Sequence, residues 1–259
     1  MAKQENAVVA QDQSSTALST IMEQDAGGGF EEAGSASFAI PFVQILQANS
    51  PQVKKSDGAY IKGAEEGMLF NTVTNECYDG SEGVIVIPCY YTQRFIEWKL
   101  RENGGGFVKE HLPTDTVVNQ TNRDEKGRFI TPNGTQLVDT RNHYLLIYTK
   151  SGELTPAIVS MASTQLKKSR QWMSMMQGTK VKNSSTGMFE TAAMYSRKYR
   201  LSTSAESNDK GSWFGYRVEL AGIVDDAAEY AEAKAFHNAI RAGQAKVERA
   251  SGEETKESF

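Results

Sequence analysis

At 259 residues the chain can bury a sizeable core unaided. With two cysteines and three histidines it has neither a secreted disulfide framework nor a zinc site of standard spacing, and no apolar run approaches membrane-spanning length. The net charge of -4 is unevenly spread: residues 1–40 carry -5 and residues 225–259 carry -3, which leaves residues 41–224 at +4. A basic body between acidic ends is expected to be soluble and intracellular, with no membrane partner, no cofactor and no metal.

In chain order, residues 1–37 are rich in Gln, Ser, Ala and Gly and read as a disordered acidic arm, with at most a helical turn over Ala17–Met22. Structure begins near Phe38, where the apolar residues of Phe38–Leu46 recur at mixed helical spacing before Ser50-Pro51 ends the element. From Ala59 to Tyr148, short apolar runs between turn signals predict antiparallel strands. Val84–Tyr91 is the strongest of them, and Pro88 belongs at a strand end or a bulge. Arg94–Lys99 and Phe107-Val108 flank Gly104-Gly105-Gly106, a hairpin tip, and residues 112–137 form a long polar loop. Tyr144–Tyr148 and Pro156–Met161 predict a hairpin around Ser151-Gly152. Ser163 as N-cap and Gly178 as stop predict a helix over about 163–177. Phe189–Leu201 and Trp213–Ile223 read as strands around a polar loop, Ser202–Ser212. A second helix is expected over about 225–250, followed by an acidic tail ending in Phe259. Three parts result: an arm (1–37), a mainly β domain with one internal helix (38–224), and a C-terminal helix with its tail (225–259).

Between Ser163 and Arg200, eight cations face one acid, Glu190, and are interleaved with Trp172, Phe189, Tyr195 and Tyr199. Cations neutralise phosphates and flat rings stack on bases, which is what single-stranded nucleic acid requires. The candidate phosphate contacts are Lys167, Lys168 and Arg170 of the predicted helix, Arg94, Lys99 and Arg101 of a strand block, and Lys198 and Arg200. The candidate stacking rings are Tyr90, Tyr91, Trp98, Trp172 and Tyr199. Each ring alone reads more readily as core, as does the apolar side of the helix, Leu166, Trp172 and Met173; the repetition of ring plus cation in two segments is what points outward. Cys77 and Cys89 either pair or remain thiols. The glycine triplet lacks the Lys-Ser or Lys-Thr of a phosphate loop, and neither a nucleophile elbow nor a His-based triad is present, so no enzyme and no catalytic residue is expected. In the tail, Glu253, Glu254, Glu257 and Phe259 suit capture by a basic pocket on a partner.

This layout, with Pro41–Gln47, Glu97-Trp98 with Gly104–Val108, and Ser163–Trp172, resembles phage-encoded single-stranded DNA-binding proteins over roughly residues 38–220. The resemblance implies an elaborated OB-like antiparallel β-barrel, mainly β with α, that coats single-stranded DNA in replication or recombination. It also implies a tail that recruits replication or recombination proteins, and it is compatible with a homo-oligomer. The alternative is a phage structural or host-interaction protein that binds an acidic protein partner. An annealer of complementary strands and a nuclease follow behind.

Overall fold

The computed structural model describes residues 18, 20–25, 28–29, 39–209 and 211–243. The chain divides into two compact units, Met1–Phe38 and Ala39–Phe259. In the first, residues 20–24 are helical; of the expected acidic arm, residues 1–17, 19, 26–27 and 30–37 lie outside the described residues.

The second unit is mainly β. Its central strands are β4 (Val84–Trp98) and β8 (Gln136–Tyr148), paired antiparallel along most of their length. They are the natural centre, because β-branched and aliphatic runs such as Val84–Ile87 and Leu145–Ile147 want both faces covered. On β8 fold β9 (Leu154–Ala162), through the predicted hairpin, and β7 (Phe129–Ile130), which pairs with β6 (Asn122–Arg123). On the other edge of β4 lie β5 (Phe107–His111), across the glycine triplet, and the long hairpin β12 (Arg197–Asn208) and β13 (Gly211–Ile223). The sheet curls into an antiparallel half-barrel of OB-like, β-rich character. A small sheet of β1 (Val43–Ile45), β2 (Leu69–Asn71) and β3 (Cys77–Tyr78) joins it through a parallel bridge between Phe42 and Ile158. A separate two-stranded ribbon, β10 (Lys180–Lys182) and β11 (Phe189–Thr191), completes the strands.

Each face of the central sheet has its own helix. Helix α1 (Leu166–Gly178) buries Ser169, Trp172 and Met176, three positions on one side, against Val84, Val86, Leu145, Tyr199 and Leu201. Helix α2 (Ala227–Arg241) lays Ala233 on Ile87, Cys89 and Leu146, and Ile240 on Tyr144 and Ile158. The Asp226 carboxylate caps α2 by accepting from the Ala228 and Glu229 amides. The register of β4 slips between Pro88 and Tyr90, where Pro88 was expected to interrupt it.

Several expectations need correction. Residues 43–45 of the segment expected at helical spacing are strand β1. The polar stretch Ser202–Asn208 is strand, not loop: one side of β12 is solvated there, so its polar residues suit a ladder that only β13 supplies. Ser163 is not a side-chain N-cap; it sits at φ 50° and opens a 3-10 turn, Ser163–Gln165, that leads into α1. The loop 112–137 contains a helical turn, Thr116–Asn119, besides β6 and β7. Helix α2 ends at Arg241, and Glu253, Glu254, Glu257 and Phe259 lie outside the described residues. Cys77 and Cys89 are free thiols, and burial pushes that of Cys89 up to about 12.

Candidate nucleic-acid interface

The buried positions of α1 leave its other side to Lys167, Arg170, Gln171 and Ser174, all exposed. Between this side and the edge strand β13 runs a groove of about 620 Å³, lined by Lys167, Lys168, Arg170, Gln171, Met175 and Val218 among others. Residues 166–182 contain five cations and no acid. Among the described residues, Lys168 alone of these five is ion-paired, its Nζ lying 2.6 Å from Glu206 Oε1; the other carboxylate oxygen accepts from Trp213 Nε1 at 3.1 Å. Lys167 and Arg170 have no ion-pair or hydrogen-bond partner among the described residues. Lys167 and Lys168 also lie in the first turn of α1, the positive end of its dipole, where no acid is present. A cation so placed costs about 0.3–1 kcal/mol where no carboxylate offsets it. Glu206 offsets Lys168, which leaves Lys167 as the cation of this turn without a counter-charge among the described residues.

The floor beneath α1 is a packed polar and aromatic stack. The His143 ring lies 4.5 Å from that of Trp172, nearly parallel, and 5.2 Å from that of Tyr91, tilted against it. The His143 Nε2 and Ser169 Oγ atoms are 2.8 Å apart. Burial, with a smaller contribution from Arg141, holds the His143 pKa down to about 3, so the ring is neutral at physiological pH. The Tyr91 hydroxyl accepts from Arg141, which is held in turn by Asp139. Ser169 and His143 are both buried, and His143 Nδ1 has no hydrogen-bond partner among the described residues.

The three basic segments read from the sequence differ in how their cations are engaged. Arg94 pairs with Glu110 at 2.8 Å, and Lys99 and Arg101 are exposed at the β4–β5 tip. Lys198 is tied to Glu229 of α2 at 2.7 Å and lies over the Tyr148 ring; the Glu229 and Tyr148 bonds hold its pKa above the ordinary lysine value. Arg200 donates to the Glu82 carbonyl at 2.7 Å. Of the proposed stacking rings, Trp98, Trp172 and Tyr199 are buried in the core, because burial of their large apolar area outweighs any surface role. Tyr90 is half-buried on the α2 side against Tyr144 and His237, and Tyr91 is half-buried beneath α1. The cations of α1, Lys167, Lys168 and Arg170, line the groove together.

Two features escaped the sequence reading. One is a buried cluster in which Glu97 accepts from Thr135 and lies 2.7 Å from His111, pinning β5 and the 112–137 segment to β4. Burial opposes the charge on Glu97, yet the hydrogen bonds from Thr135 and His111 outweigh it and keep its carboxyl below the ordinary value. The other is the ribbon β10–β11, whose Phe189 is 72% exposed. Its cations and ring were visible in the sequence, but not that the ring has nothing to pack against.

Fold and groove together define a β-rich protein with one helix-borne cationic cleft; among the described residues no helix is long and apolar enough to cross a membrane. A family model described as Pam3 phage gp34-like protein matches residues 9–246, and the chain belongs to that family of phage proteins. No curated protein and no solved structure matches the chain.

Proposed function

We propose that this chain binds single-stranded DNA in a sequence-tolerant way, without a catalytic step, through the cationic groove of α1. The observation that carries the reading is the placing of Lys167 and Arg170, unpaired, with Lys168 at the positive end of α1 beside an open groove. A protein tolerates such a local conflict when a ligand relieves it. Phosphates would seat along Lys167, Lys168 and Arg170, with replication or recombination proteins recruited by the C-terminal tail. The rival reading, an assembly or host-interaction protein meeting an acidic protein surface, uses the same cations and is separated by experiment.

The test is a titration with an oligo-dT and a matched duplex at two salt concentrations. Three phosphate contacts in this groove contribute roughly 2 to the steepness of the log–log salt dependence on the single strand, so the full slope should be at least that steep. The double variant Lys167→Ala, Arg170→Ala should lose roughly 1.4 of that slope while keeping its unfolding midpoint or gaining up to about 1 kcal/mol. Absent binding, a salt-independent curve or an unaffected double variant would each overturn the reading.

A further inference from the structure

The ribbon β10–β11 leaves α1 directly: Thr179 caps the helix, Lys180 begins the first strand, and the Ala192 amide returns to the Thr179 carbonyl at 2.9 Å. Its two strands pair only with each other. Their register sets Lys182 opposite Phe189 and Lys180 opposite Thr191, so Lys180, Lys182, Phe189 and Thr191 share one face. Lys180 Nζ donates to Thr191 Oγ1 at 2.8 Å, while Lys182 has no hydrogen-bond or ion-pair partner among the described residues. The ribbon's acid, Glu190, is on the opposite face and accepts from Asn183 there. One face therefore carries a largely exposed phenyl ring directly across from Lys182 and diagonal to Lys180, with no acid on that face among the described residues.

We infer that this face is a stacking arm for the same strand, with Phe189 the ring on which an unpaired base lies and Lys180 and Lys182 the contacts to its flanking phosphates. The inference rests on the proposed binding at α1 and extends it to a second subsite. The need for such a subsite comes from the core: Trp98, Trp172 and Tyr199 are buried, so a strand held at the α1 groove needs a ring from elsewhere. The arm is rooted at the far end of a helix about 20 Å long, within the footprint of roughly 4–16 nucleotides usual for a single OB domain. Ring and cations together favour the strand, since every base of a single strand offers a flat face beside its phosphate, whereas an acidic peptide offers one only where it carries an aromatic residue.

The experiment is an oligo-dT titration of the full chain and its variants, with far-UV circular dichroism and the denaturation midpoint as folding controls. Phe189→Ala should weaken binding roughly 5- to 100-fold with the salt slope unchanged, because stacking is not ionic. Lys180→Ala with Lys182→Ala should lower the slope by roughly 1.4. Phe189→Trp should retain affinity, and its new indole fluorescence should be quenched by the oligonucleotide. Wild-type binding with Phe189→Ala unaffected overturns the arm and leaves the α1 reading standing. No binding by the wild type defeats both. A wild-type dimer that Phe189→Ala makes monomeric, with unchanged affinity for DNA, assigns the ring to a second copy and also overturns the arm.

Discussion

At the scale of single residues, the core of this protein is polar where a hydrophobic pattern would predict otherwise. His143 packs against Tyr91 and Trp172 with its pKa held near 3. The unfolded chain protonates this imidazole at about pH 6.5, whereas the folded chain refuses the proton until pH approaches 3. Fewer protons are then bound in the folded state, so its stability is complete above pH 6.5 and falls with pH below it, by up to about 1.4 kcal/mol per pH unit. The window from pH 6.5 to 5 lies above the carboxylate range, and the comparison with His143→Phe separates this ring from His111 and His237. Urea midpoints at pH 7 and pH 5 should differ clearly for the wild type and much less for His143→Phe. At pH 7 that variant should be less stable, because Ser169 Oγ loses its partner. An equal pH dependence in the two proteins would show that His143 titrates freely.

At the scale of elements, the hairpin β12–β13 decides the site. It forms one wall of the groove, and its Glu206 holds Lys168 in place. Its attachment to the turn before β4 is unusually close: the Thr203 amide donates to the Gly80 carbonyl at 2.7 Å, and Thr203 Oγ1 donates to the Gly67 carbonyl at 2.6 Å. A Cβ on Gly80 would lie 1.9 Å from the Gly67 carbonyl oxygen and 2.3 Å from Thr203 Oγ1. Backbone on one side leaves no room to yield, so Gly80→Ala should cost about 3 kcal/mol or be insoluble. Chemical denaturation checks this, and a loss under about 1 kcal/mol would mean that the two turns separate easily. The same hairpin shows why its outer half was unreadable locally. Thr203, Ala205 and Ser207 carry too little apolar surface to announce a strand, and their ladder partners are contributed by residues 212–216.

At the scale of the whole molecule, charge is segregated: the first 38 residues carry -5 of the total -4, so a chain beginning at Ala39 has a net charge of +1. The compact unit that contains both helices and the groove starts at that residue. Such a chain should keep its unfolding midpoint and bind oligo-dT more tightly at low salt, with the difference vanishing as salt screens it. The measurement is the midpoint together with affinity at low and high salt. A lowered midpoint would show that the first 38 residues contribute to folding, and unchanged low-salt affinity would show that their charge does not reach the groove.

Local pattern was enough to specify a β-rich body, the hairpin around Ser151-Gly152, the interruption at Pro88 and two helices, one amphipathic with a basic side, because each rests on period, turn chemistry or helix propensity within a few neighbours. Which cations meet was settled by packing alone. Lys198 and Arg200 look equivalent to Lys167 and Arg170 in the sequence, yet the former are taken up by Glu229 and the Glu82 carbonyl, residues 31 and 118 positions away. Rings followed the same logic: Trp172 and Tyr199 were drawn inward by the area they bury, and Phe189 was left outside because its ribbon has no sheet behind it. Charge and aromaticity are properties of residues, whereas availability to a ligand depends on which long-range partners the fold brings to each one.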